Sequence, residues 1–165
     1  MELGDEPIQI GVLDILLADD DKDDCNFFKE ALEELPLSSH LTLVHDGDQL
    51  MQLLNKRTGP LPDALFLDLN MPRKNGFACL EEIKGNNKLK HLPVIILSTS
   101  FDENIADGLY KNGAHFYICK PADFNKLKEV IKHALALVAK NTIPTTAQRM
   151  AFNHKLKTNP ALNET

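Results

Sequence analysis

What the chain is short of narrows the field first. It has three cysteines in 165 residues, Cys25, Cys79 and Cys119. They are odd in number, widely spaced and form no Cys-x-x-Cys pair, so neither a disulfide framework nor a zinc site is expected, and a reducing cytosol is the natural setting. No apolar run approaches the ~18 residues of a membrane span. The amino terminus, Met-Glu-Leu-Gly-Asp-Glu, lacks the positive and apolar regions of a signal peptide, which makes a cytoplasmic protein the expectation. Positive charge is also scarce: 18 basic residues stand against 24 acidic ones, for a net charge of −6. That balance argues against a nucleic-acid surface, which shows a basic stripe. At 43% hydrophobic and 25% charged the composition is that of an ordinary globular chain and excludes wholesale disorder. The length suits one domain with a little left over.

Short apolar runs alternate with amphipathic segments. The runs are Ile15–Ala18, Leu41–Val44, Ala64–Leu67, Val94–Leu97 and Phe116–Cys119. They are too short for helices and rich in aliphatic or aromatic residues, so they read as strands. Between them, helical spacing appears in Phe28, Ala31, Leu32 and Leu35 before Pro36, and in Leu50, Leu53 and Leu54 after a capping Asp46 or Asp48. A third helix is marked by Phe77, Leu80 and Ile83 with Gly85 as its stop. Ile105 and Leu109 mark a short, weakly apolar fourth helix ending near Asn112-Gly113, and Phe124, Leu127, Ile131, Ala134, Leu135 and Val138 a clear fifth. Strictly alternating strands and helices imply right-handed crossovers and a doubly wound α/β fold, a parallel sheet with helices on both faces. Residues 1–12 form a lead-in in which Ile8, Ile10 and Val12 alternate, so the first strand is allowed an early start. From 140 to 165 the pattern fades into a tail too short for a second domain. Its stretch from Ala147 to Leu156 stands open between a docked helical turn or two and disorder.

The polar residues of interest fall where strands end. The first strand runs into Asp19-Asp20, the third into Asp68, the fourth into Ser98-Thr99 and the fifth into Lys120-Pro121. A parallel sheet gathers these ends on one rim, where open α/β sheets keep their ligand sites. Carboxylates ~4–5 Å apart repel by several kcal/mol, so such a cluster holds a proton or recruits a cation. Oxygen ligands favour a hard ion, and Mg2+ is commonly held by one or two carboxylates with waters retained. With Mg2+ in place, Asp68 reads as a nucleophile forming an aspartyl phosphate, with the Lys120 amine and the Ser98 hydroxyl as phosphate contacts. Asp21, Asp23 and Asp24 read more simply as an acidic helix start that complements the dipole. Ser98 taken alone is as well read as a helix cap, and Lys120 alone as a surface charge; their joint placement carries the reading. His45, ending the second strand, reads as a solvated histidine away from the acids. His115 reads as an exposed polar residue, and Phe116 as a core or dimer contact.

Leu-Leu-Ala-Asp-Asp-Asp at 16–21, Leu-Asp-Leu-Asn-Met-Pro at 67–72, Val-Ile-Ile-Leu-Ser at 94–98 and Lys-Pro at 120–121 resemble the receiver domains of two-component response regulators. The likeness is greatest to single-domain ones of the chemotaxis and phytochrome-associated types, and it covers residues 13–139. The resemblance implies a flavodoxin-like (βα)5 fold with strand order 2-1-3-4-5. It implies Asp68 as phosphoacceptor, Asp19, Asp20, Asp68 and the backbone carbonyl of Asn70 as Mg2+ ligands, Ser98 as switch hydroxyl, Lys120 as phosphoryl contact and Tyr117 as switch aromatic. It also implies a cis Lys120-Pro121 bond aiming the amine at Asp68, and a flanking influence of Asn70 and Ser100 on the phosphoryl group. Ala18 and Thr99 depart mildly from the family pattern. The implied partners are a sensor histidine kinase, phytochrome-like among the options, or a histidine phosphotransfer protein, and a downstream protein target. No DNA or membrane is implied, and a homodimer through the face of the fourth helix, fifth strand and fifth helix is an option. The implied activity is self-phosphorylation from a phosphodonor and slow autodephosphorylation rather than enzymatic turnover. Two alternatives stand beside this reading. One is a phosphorelay intermediate. The other is a Mg2+-dependent phosphatase with an aspartate nucleophile, which wants a second acid where Asn70 stands.

Overall fold

The computed structural model describes residues 11–140, 144, 145 and 147–149. Among them five strands alternate with five helices: β1 Leu13–Ala18, α1 Lys22–Glu33, β2 Ser39–Val44, α2 Gly47–Lys56, β3 Ala64–Asp68, α3 Gly76–Lys84, β4 Val94–Ser98, α4 Glu103–Lys111, β5 Phe116–Cys119 and α5 Phe124–Ala139. The strands form one parallel sheet in the order β2-β1-β3-β4-β5. This is the expected doubly wound arrangement.

Side chains alternate across each strand, and that alternation splits the core in two. Leu16, Ala18, Leu65, Leu67, Val94 and Ile96 face α2, α3 and α4, where they meet Leu50, Leu54, Leu80, Ile83 and Leu109. Ile15, Leu17, Phe66, Ile95, Phe116 and Ile118 face α1 and α5, meeting Phe28, Leu32, Leu127 and Ile131. Every residue of β3 and β4 is buried, which explains why both read as unbroken apolar runs. Phe116 is a core residue.

Helix starts follow the acids and amides placed before them. Asp21, Asp46, Asn75, Asp102 and Asp123 each accept a backbone N–H from the first turn of the helix that follows. Asp46, not Asp48, caps α2. Since Asp102 caps α4, Ser98 is not its cap; it is buried at the end of β4. The α4 helix buries only Ala106 and Leu109, in keeping with its weak apolar pattern.

Some expectations need correction. Val12 precedes β1 and is solvent-exposed, so the strand does not reach into the lead-in at that residue; Ile8 and Ile10 lie outside the described residues. The Lys120-Pro121 bond is not cis. The amine reaches the acids through the length of its own side chain, from a backbone whose N–H donates to the Ser98 carbonyl at 2.6 Å. In the tail, Ala147–Arg149 is helical and docked; residues 150–156 lie outside the described residues. Arg149 donates to the carbonyls of His115 (2.8 Å) and Ala114 (2.9 Å) and lies over the Tyr110 ring, 4.0 Å from its centroid.

Candidate phosphoacceptor site

The site is built by register. Ala18 pairs with Leu67, Asp68 with Leu97, and Ser98 with Cys119. Asp19, Asp68, Ser98 and Lys120 therefore arrive level at one rim of the sheet. Asp19, Asp20 and Asp68 each present a carboxylate oxygen, and the three atoms lie within 4.8 Å of one another. Asp19 and Asp68 are buried while Asp20 is exposed. An all-oxygen donor set of this span fits a hard divalent cation.

The loop between β1 and α1 is held tightly. Asp19 Oδ1 accepts the Asp21 N–H at 2.9 Å, and Asp21 Oδ1 accepts those of Asp23 and Asp24 at 2.9 and 3.1 Å. The Cys25 thiol points at the Asp19 carbonyl, 3.4 Å away. His45 Nδ1 lies 3.1 Å from the same carbonyl. His45 is therefore half-buried beside the acid loop, contrary to its reading as a solvated residue elsewhere. The Cys25 and Cys79 thiols are pushed up to about 11 by burial, so both are inert structural residues.

On the other side, α3 approaches the end of β3 closely. The Gly76 N–H donates to the Leu69 carbonyl at 2.9 Å, and a Cβ at Gly76 would lie 2.5 Å from the Asp68 carbonyl oxygen. Arg73 turns the intervening loop with φ of 69°. Lys74 pairs with Glu82, and Arg73 reaches Asp46 at 3.7 Å, which ties the loop to α3 and to the start of α2.

Lys120 is the centre of charge. Its Nζ lies 2.8 Å from Asp19 Oδ2, 2.9 Å from Asp24 Oδ2 and 3.8 Å from Asp68 Oδ2. Burial opposes its charge, yet the hydrogen bonds it donates to Asp19 and Asp24 outweigh burial and raise its pKa. Burial pushes the Asp68 carboxyl up to about 6, with Lys120 pulling against it and Asp19 adding to the rise. A buried acid that holds its proton unusually well is the mark of a place where a cation is wanted. The contact of Asp24 with Lys120 leaves no local trace in the sequence, because the two lie 96 positions apart. Asp21, Asp23 and Asp24 all play the helix-start role, Asp21 as the cap and the other two as first-turn acids.

Asn70 is exposed, and its N–H lies 3.4 Å from Asp68 Oδ1. Ser98 Oγ faces the Ser100 N–H at 3.5 Å. Tyr117 is turned inward and buried. Its hydroxyl donates to the Ser100 carbonyl and accepts from the Asp102 N–H, both at 3.1 Å, and its own N–H donates to the Tyr110 hydroxyl at 3.2 Å. His115 is not exposed as expected. Its Nδ1 is buried without a hydrogen-bond partner among the described residues, and burial, with Lys84 and Arg149 nearby, lowers its pKa to about 4.

Comparison with known proteins agrees with this geometry. Residues 15–132 match the family model of the response regulator receiver domain. The chain is 32% identical over 122 residues to the response regulator Rcp1 of Synechocystis sp., covering 72% of this chain and 83% of that one. The phosphorylated cyanobacterial phytochrome response regulator RcpA superposes with a TM-score of 0.71 at 31% identity, over 82% of this chain and 100% of its own. The Mn2+-bound form of Rcp1 does so with a TM-score of 0.69 at 30% identity, over 81% and 99%. This chain belongs to the response regulator receiver domains, the phosphoryl-accepting modules of two-component signalling.

Proposed function

We propose that Asp68 is the residue that takes the phosphoryl group, from a phosphohistidine of a sensor kinase or of a histidine phosphotransfer protein. An Asp68 carboxylate oxygen bonds to phosphorus as the phosphorus–nitrogen bond breaks, and the departing imidazole keeps that electron pair. Asp19, Asp20, Asp68 and the Asn70 carbonyl would hold Mg2+, which when bound would supply neutralising charge for the phosphoryl oxygens. The Lys120 ammonium adds a positive contact from the β5 side, and the Ser98 hydroxyl donates from the β4 side. The observation that carries this reading is the three-carboxylate cluster sharing one ammonium at the rim. A phosphorylated relative and a Mn2+-bound one support it. Asn70 in place of a second acid disfavours a phosphatase.

Residues 13–139 form the receiver unit in this reading, with 1–12 as lead-in and 140–165 as tail. Phosphorylation brings roughly −1.5 to −2 charge to Asp68. Ser98 is then drawn toward it, and the β4–α4 loop held by Tyr117 moves with it. The face of α4, β5 and α5 becomes the output surface toward a downstream protein or a second copy of this chain. The partners are proteins rather than DNA, and the cytoplasm is the setting, with a phytochrome-like kinase as phosphodonor. Incubation with Mg2+ and acetyl phosphate should yield an acid-stable, base-labile phosphoprotein by mass spectrometry. An undiminished mass shift in Asp68→Ala, or none in the native protein, defeats the assignment.

A further inference from the structure

We propose that Asp24 is a positioning residue for this chemistry, holding the Lys120 ammonium on the α1 side so that any phosphoryl group on Asp68 must compete for it. The proposal rests on Asp68 being the phosphoryl acceptor.

The geometry singles Asp24 out from its neighbours. Asp21 already caps α1, and Asp23 is exposed in the same first turn. Asp24 shares the first turn with Asp23 but has a second contact that Asp23 lacks. Its N–H is fixed to the Asp21 cap, and its carboxylate reaches the far strand end to meet Lys120 at 2.9 Å.

An ammonium has three N–H donors. Two are engaged by Asp19 and Asp24, while the acceptor Asp68 is the most distant of the three carboxylates at 3.8 Å. A phosphoryl group on Asp68 offers strong acceptor oxygens on that third side, and the amine moves toward it by loosening the partner it holds least firmly. Exposure names that partner: the Asp19 side chain is 4% exposed and that of Asp24 is 40%. A solvated ion pair is weak enough to yield yet strong enough to bias the balance. Asp24 thus lowers the affinity of the site for a phosphoryl group by retaining its cationic contact.

The test uses the full chain with Mg2+ and beryllium fluoride, the tetrahedral stand-in for a phosphoryl group on a carboxylate, titrated by calorimetry. Asp24→Asn should bind it roughly two- to fivefold more tightly than the native protein, the range an exposed ion pair supports. The gain should shrink at high salt, and Asp24→Glu should restore native affinity. Asp23→Asn, the same charge change one residue away, should leave the affinity unaltered. In a Lys120→Gln background Asp24→Asn should add nothing, because the shared ammonium is gone. Equal affinity of Asp24→Asn and native protein overturns the proposal. So does an equal gain in Asp23→Asn, or a gain that persists without Lys120, either of which would place the effect in the general field of the acids. A native protein that neither binds beryllium fluoride nor is labelled on Asp68 by acetyl phosphate would instead sink the acceptor reading itself.

Discussion

Tyr117 lies stacked on Phe101, with ring centroids 4.6 Å apart and planes 21° from parallel. Phe101 belongs to the β4–α4 loop, and the Tyr117 hydroxyl is bonded on either side of it, to Ser100 and Asp102. Ring and hydroxyl hold the same short stretch of backbone.

Removing only the hydroxyl separates the two contributions. Tyr117→Phe keeps the stack and leaves the Asp102 N–H without its side-chain acceptor, at a cost of about 1 kcal/mol. Hydrogen exchange should quicken in residues 99–104 with little change in the central strands. Unchanged protection in that loop would show that the hydroxyl does not restrain it.

The Asp68 carboxylate should be a stability liability at neutral pH. Burial raises its pKa from the ordinary 3.8 to about 6, so the folded state binds the proton more tightly than the unfolded chain. The cost is fully present above about pH 6 and is relieved as pH falls toward 3.8. Asp68→Asn should therefore be more stable than the native protein at pH 8, by about 2 kcal/mol in urea unfolding. That advantage should vanish near the ordinary carboxylate pKa. A less stable Asn variant at pH 8 would contradict the burial argument.

His115 acts in the opposite sense. Its pKa is lowered from 6.5 to about 4 by burial and by the nearby Lys84 and Arg149 charges, so the unfolded chain takes up a proton that the folded one refuses. The stability this histidine provides is complete above its ordinary pKa and is lost as pH falls from 6.5 to about 4. His115→Gln should flatten that loss by about 1–2 kcal/mol across the window. Because Asp68 titrates over much the same range with reversed sign, each effect is read from the difference between variant and native protein.

Gly76→Ala tests how closely α3 abuts the end of β3. The added Cβ would sit 2.5 Å from the Asp68 carbonyl oxygen and 2.8 Å from the Leu69 Cα, both rigid backbone atoms. A loss of about 1–3 kcal/mol, as for other overpacked sites, is expected, together with slower labelling by acetyl phosphate. Full stability with normal labelling would mean the helix start shifts freely.

The fold was legible because its signals are local. Ala64–Leu67 and Val94–Leu97 are apolar without alternation since both faces of their strands are covered, and Pro36, Asp46 and Asn112 mark helix ends. Asp19, Asp68, Ser98 and Lys120 were legible because each follows directly on a strand, so topology alone brings them together. The contacts that leave no trace in the sequence depend on packing between distant segments. Asp24 looked like an ordinary helix-start acid until Lys120 arrived from across the sheet. His45 and His115 are half-buried beside neighbours from other elements, Asp19 for one and Lys84 and Arg149 for the other. Arg149 sits in a stretch whose composition alone left disorder open.

Lys120 and Asp19 touch across 101 positions of the chain, with Asp68 lodged between them in sequence. No partly folded fragment holding only one of these strand ends contains the whole carboxylate–ammonium cluster. Under the proposed chemistry, labelling by a small phosphodonor should therefore count only those molecules in which the whole sheet has formed.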